Sequence, residues 1–236
     1  MRTAPFVLSF LALGACGTDG EGTVTVTAYG ESFIEDGIPA SEVGDGWAVE
    51  FSRFEVRIEQ VTVAGIEVNV PVTVDLSEAS AGEGHELGSV LVPSGDHTDA
   101  GFIVSRIEVD GTATKGADTK SFSWVFDQPS TYTECETTTS VRDGDQATFQ
   151  ITIHADHLLY DSLVSDEPQV LFRALADADL NEDGSITQPE LAATDIGAYD
   201  PGSSDGVDDL WAWLVAQTQT LGHVDGEAHC RAAPAK

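Results

Sequence analysis

Between residues 23 and 153, apolar and polar side chains alternate with a period of two, in short runs rich in Val, Ile, Thr and Phe that Gly, Pro and Asp interrupt. That period puts every second side chain on one face of an extended chain, so it predicts strands. Val24, Val26 and Ala28 alternate with Thr23, Thr25 and Thr27, and Trp47, Val49 and Phe51 keep one phase before it slips to Phe54, Val56 and Ile58. A phase slip within a run predicts a bulge or bend. Further strands are expected at 66–70, 72–76, 89–92, 103–109, 121–126 and 147–153, with turns at Pro93-Ser94-Gly95-Asp96 and Arg142-Asp143-Gly144-Asp145. No helical patterns alternate with them. The expected fold class is therefore α+β, an antiparallel β-sandwich over 23–155 followed by a small helical region over 156–236. The helices rest on Val170, Leu171, Ala174 and Leu175 after Pro168, on a start near Pro189, and on Leu210, Trp211, Trp213 and Leu214 over 206–220.

Composition narrows the partners. The chain has 41 Asp+Glu against 10 Lys+Arg, a formal net charge of −31, yet 41% of it is hydrophobic, enough for a packed core. So negative a surface repels phosphate backbones and anionic lipid headgroups, which excludes nucleic acid as a partner. Cations are the natural ligands.

Met1-Arg2, the apolar run from Phe6 to Leu13 and the small residues before Cys16 read as an export signal over 1–15, about half the length of a membrane-spanning helix. Leu13-Gly14-Ala15-Cys16 resembles the lipobox of bacterial lipoproteins. The resemblance implies lipid on Cys16, a tether over 16–22, and attachment to the membrane in the cell envelope, facing periplasm or exterior. Gly17 and Thr18 carry no acidic retention signal, which favours the outer membrane. Setting Cys16 aside leaves Cys135 and Cys230 as one pair in an oxidising compartment, predicted to be bridged. The loop closed would span about 95 residues, for which chain entropy gives about 4 to 5 kcal/mol. The strand layout is similar to immunoglobulin-like or transthyretin-like modules of envelope proteins, though no motif selects one.

One stretch carries specific chemistry. In Asp179-Leu180-Asn181-Glu182-Asp183-Gly184-Ser185-Ile186-Thr187-Gln188-Pro189-Glu190, alternate residues can aim Asp179, Asn181 and Asp183 at one point, where a hard dication finds oxygens. Gly184 permits the turn, Ser185 offers its carbonyl, Thr187 acts directly or through water, Glu190 can give both oxygens, and Ile186 packs inward. The loop resembles the EF-hand, which implies calcium. EF-hands usually work in pairs, and the segment 200–209 lacks the alternating oxygens of a second loop and has Ala212 in place of the closing glutamate. A lone site in an exported chain is read as a stabilising clip rather than a sensor.

A second constellation is His154-Ala155-Asp156-His157 together with His223-Val224-Asp225-Gly226-Glu227-Ala228-His229. Imidazoles and carboxylates accept zinc or copper. A Cys135–Cys230 bridge would draw the two stretches together, making His154, Asp156, His157, His223 and His229 the alternative metal site. The first stretch also resembles part of the metallo-β-lactamase motif, but Thr152 stands where that family has a further histidine. No nucleophile elbow, phosphate loop or dinucleotide fingerprint occurs, so a non-enzymatic binding or structural role for an unidentified envelope or extracellular ligand is expected.

Overall fold

The two longest strands, Ala48–Val63 and Ala100–Lys115, pair antiparallel, and their register shifts between Phe51 and Arg53. The slip of phase in the sequence is thus a bulge: one extra residue returns Phe54 and Val56 to the inward face that Val49 occupies. The computed structural model describes residues 20–68 and 71–235. The signal segment 1–15 and Cys16 lie outside the described residues.

The strands in order are β1 (Glu21–Tyr29), β2 (Ala48–Val63), β3 (Ile66–Glu67), β4 (Val72–Asp75), β5 (His85–Pro93), β6 (Gly95–His97), β7 (Ala100–Lys115), β8 (Asp118–Phe126), β9 (Ser130–Thr133), β10 (Thr139–Val141), β11 (Gln146–Ile153), β12 (Ser185–Ile186), β13 (Gly222–Val224) and β14 (Arg231–Pro234). The helices are α1 (Glu31–Glu35), α2 (Arg173–Asp177), α3 (Gln188–Leu191) and α4 (Leu210–Gln217), with a 3-10 turn at Ala155–Leu159. With 47% strand against 13% helix the chain is mostly β. The 16–22 tether is already strand at Glu21 and Gly22.

One sheet runs β13-β11-β1-β5; a larger one runs β12-β8-β7-β2-β3, with β4 on β2, β9 on β7 and β14 on β9. The sheets are mixed rather than purely antiparallel, because β1 runs parallel to β11, from Thr23 opposite Gln146 to Tyr29 opposite Thr152, and β12 runs parallel to β8. Strands joined by a hairpin must be antiparallel. Nine strands, β2 to β10, separate β1 from β11 along the chain, so they are free to run the same way. Val24, Val26, Phe149 and Ile151 of the first sheet share one core with Phe54, Val56, Val109 and Trp124 of the second.

The region 156–236 is helical only in pieces of five, four and eight residues, and three of its segments are strands that extend the sheets. The helix expected after Pro168 begins instead at Arg173. The chain before it is extended, with a bridge between Tyr160 and Val170, and Asp45 Oδ2 accepts the Phe172 and Arg173 N–H groups at 2.9 and 2.7 Å. A carboxylate at that end satisfies orphan donors and fixes the start of the helix. Asp209 does the same for α4 by accepting from Ala212 N at 2.8 Å. Phe172 against Trp47 (5.5 Å) and Trp211 stacked on Phe126 (4.9 Å) fasten this region to the large sheet. Among the described residues no helix is long and apolar enough to cross a membrane.

Candidate metal centres

Sheet register builds the first centre. His223 in β13 lies opposite Thr152 in β11. His154, two residues after Thr152, therefore points to the same face as His223, since side chains two apart along a strand share a face. Gly222 lets β13 pass close over the Tyr132 ring of β9, which a Cβ there would meet at 2.6 Å. The ring centroids of His154 and His223 are 4.4 Å apart. The 3-10 turn then curls the chain back and sets His157 5.2 Å from His154 and 5.1 Å from His223. After β13, Asp225 and Gly226 both take positive φ, +49° and +87°, and the chain doubles back with Val224 bridged to Ala228. That turn returns His229 to 4.8 Å from His223 and carries Glu227 over the cluster.

Two sets of three donors lie within 4.8 Å of one another, His154 with His223 and Glu227, and His154 with Asp156 and His157. Both pair two imidazoles with one carboxylate, and both use His154. The structure thus gathers His154, Asp156, His157 and His223 of the alternative metal site into these sets, adds Glu227, and leaves His229 beside His223 but outside both.

The hydrogen bonds leave His157 with a lone pair for an ion, whereas His154 must give up one of two acceptor contacts to meet one. His157 Nδ1 lies 2.8 Å from the Thr220 carbonyl, which can only accept, so Nδ1 carries the proton and Nε2 keeps a lone pair. Burial, with the neighbouring His154 and His223, pushes His157 down to about 3, so its imidazole is neutral at ordinary pH. Burial also lowers His223, whose Nδ1 has no hydrogen-bond partner although the residue is 4% exposed. An unsatisfied buried ring nitrogen costs about 1–3 kcal/mol, which a bound cation would offset. His154 stands between two acceptors, the Gly226 carbonyl 3.3 Å from Nε2 and the Glu31 carboxylate 3.4 Å from Nδ1. Glu31 opens α1 at φ +55°, a region non-glycine residues rarely occupy, and burial raises its pKa despite the nearby imidazole. Tyr160, 4.5 Å from His157, donates to Asp156 Oδ2 at 2.9 Å.

His157, His223, Glu227 and His229 form one wall of a cleft of about 640 Å³. Cys230, bonded to Cys135, lies on the same wall, so the disulfide pins the segment after His229 to the end of β9.

The second centre is the 179–190 loop. Asp179 Oδ1 accepts from Asp183 N at 3.1 Å and its Oδ2 from Gly184 N at 2.9 Å, while Ser185 N donates to Asp183 Oδ1 at 2.8 Å. Asn181 Oδ1 accepts from Asp183 N at 2.9 Å. Gly184 has φ +83°, as the turn demands. Glu190 folds back: its Oε2 accepts from the Thr187 N–H (3.0 Å) and hydroxyl (2.6 Å) and its Oε1 from Asn181 N (3.3 Å), which closes α3 with a capping box. Thr187, through its hydroxyl bond, is the first cause of the lowered Glu190 pKa. Ile186 is buried, and Trp124 Nε1 donates to its carbonyl at 3.0 Å.

Nothing in the loop's own sequence announced two of its neighbours. In place of a second loop, β12 pairs with β8, and Ser121 N donates to the Gly184 carbonyl at 2.8 Å. Lys120, on that strand, sets its Nζ 2.5 Å from Asp179 Oδ2 and depresses the pKa of the buried carboxyl. In comparisons with known proteins, no family model, no curated protein and no solved structure matches this chain.

Proposed function

We propose that the protein is a lipid-anchored protein of the cell envelope whose working centre is a transition-metal site, for zinc or copper, built on His154, His157, His223, Asp156 and Glu227 with His229 at its rim. The observation that carries this reading is the buried Nδ1 of His223, unpartnered in a cluster of four imidazoles and two carboxylates. Buried polar atoms are nearly always satisfied. Neutral imidazoles beside carboxylates are the donor set that zinc and copper prefer. Elemental analysis of protein purified without added metal tests it. Stoichiometric zinc or copper, lost in a His154→Ala/His223→Ala variant that still folds, supports the reading; a metal-free protein that takes up neither ion at micromolar concentration overturns it.

The 179–190 loop supports a second role beside the first. Its four acidic and amide side chains are gathered by their own Asx turns and by the Thr187–Glu190 box, so calcium here acts as a clip between α2, α3 and the edge of the large sheet. Export, lipid on Cys16 and an outer-membrane address rest on the first sixteen residues, and mass spectrometry of the membrane fraction tests them through an acylated N-terminal Cys16.

A further inference from the structure

We infer that the metal centre is open on its cleft side and accepts a small uncharged donor molecule there as an additional ligand of the ion. The inference rests on the transition-metal reading above. Each donor set supplies three protein ligands. Zinc takes four ligands where its role is structural, and keeps three protein ligands plus an exchangeable position where it meets other molecules. Of the two further imidazoles near the first set, His157 belongs to the second set and itself lines the cleft, and His229 belongs to neither set of converging atoms and is solvent-exposed. The fourth position of an ion on His154, His223 and Glu227 therefore looks into the cleft, since His223 and Glu227 are themselves part of its wall.

The rest of that wall defines what can enter. Its volume of about 640 Å³ falls within the range of small-molecule sites. Ser165 offers a hydroxyl and Gln219 an amide, Asp166 adds a carboxylate, and among the described lining residues there is neither Lys nor Arg. An anion would meet the charges of Asp166 and Glu227 with only the metal to offset them. A neutral molecule with one lone pair for the ion and a hydrogen-bonding edge for the hydroxyl and the amide meets no such opposition.

The test uses the full chain loaded with Co²⁺ as a spectroscopic probe and titrated with imidazole, then separately with inorganic phosphate. The expected result is a set of visible ligand-field bands that imidazole shifts saturably at millimolar concentration, with phosphate at least tenfold weaker. A Ser165→Trp variant, which fills the cleft at a residue outside the donor sets, should keep the cobalt bands and lose the imidazole shift. Bands that imidazole leaves unmoved mean a closed site and overturn the inference while leaving the metal reading intact. Phosphate binding as tight as imidazole overturns the ligand class, and an absence of bands overturns the metal reading and this inference together.

Discussion

The ammonium of Lys120 lies 2.5 Å from Asp179 Oδ2, in the first ligand position of the calcium-type loop. A tethered cation thus already neutralises part of the cage, and an arriving dication must share Asp179 with it. Removing that charge takes a repulsion from the metal-bound state and an attraction from the empty one. Even at the dielectric of bulk water, a unit charge about 5 Å from a dication changes affinity by roughly tenfold. Lys120→Met should therefore melt at a lower temperature than wild type in chelator and show a larger rise in melting temperature with calcium. Paired thermal scans in chelator and in millimolar calcium read both signs.

Glu190 caps α3 through Thr187 and, in the proposed calcium clip, would also close the oxygen cage, and two variants separate these roles. Glu190→Gln keeps a carbonyl oxygen for the Thr187 N–H and hydroxyl, whereas Glu190→Ala loses both functions. Both should abolish the calcium-induced stabilisation, which at tenfold the dissociation constant is about 1.4 kcal/mol. Only Glu190→Ala should also lower the melting temperature in chelator. Because Trp124 donates to Ile186 inside the loop, its fluorescence should follow calcium in wild type and stay flat in both variants.

Glu31 holds a strained backbone angle while its carboxylate faces His154. Such strain costs about 1–3 kcal/mol at a non-glycine residue and persists where the side chain has a task. Glu31→Gly should raise the melting temperature of the metal-free protein by a few degrees, since about 1 kcal/mol moves a domain of this size by roughly 2–4 °C. The same change should weaken zinc or copper binding by about ten- to hundredfold, the usual loss when an outer partner of a metal-bound imidazole is removed. Calorimetric titration of wild type, Glu31→Gly and Glu31→Gln checks the pairing of a stability gain with an affinity loss.

On the exposed side of the large sheet, Arg53 bonds Glu108 at 2.6 Å and Asp110 at 2.8 Å, and Arg106 bonds Glu108 at 2.7 Å. Arg106 is the leading cause of the lowered Glu108 pKa, and Arg53 that of the lowered Asp110 pKa. Carboxylates with folded-state values below their unfolded ones add stability that is present above the ordinary carboxylate range and disappears as pH falls through the depressed values. Arg53→Met should therefore move the acid-unfolding midpoint to higher pH. The loss at neutral pH should stay within about 1 kcal/mol for each half-exposed pair. Circular dichroism followed from pH 7 to pH 2 measures both.

The long strands β1, β2, β7, β8 and β11 were legible because one face of each is buried and period two survives in the sequence, bulge included, whereas the short β6, β9 and β10 were not, and Gly95 and Asp96, expected in a turn, lie in β6. The strands after residue 180 were not. Gly222-His223-Val224 is too short to show a period, and Arg231–Pro234 is exposed at every position, so its place depends on β9 rather than on patterning. The calcium-type loop could be read because its donors are consecutive in the chain. Of the histidine centre, the residue types were visible and their approach was expected through the disulfide, but the register that sets Thr152 opposite His223 was not. Glu31 left no signal at all: it is one of 41 acidic residues and far from His154 in sequence.

The placement of β1 has a mechanical consequence. It is the first strand of the described chain, yet it lies inside its sheet with β11 on one side and β5 on the other. A pull on the residues upstream of Glu21 loads both ladders in shear along their length, with many hydrogen bonds resisting at once instead of opening one by one from an edge. A protein held by its leading end against flow would keep its fold under that load, and the histidine cluster at the far end of β11 would stay assembled while the leader is under tension.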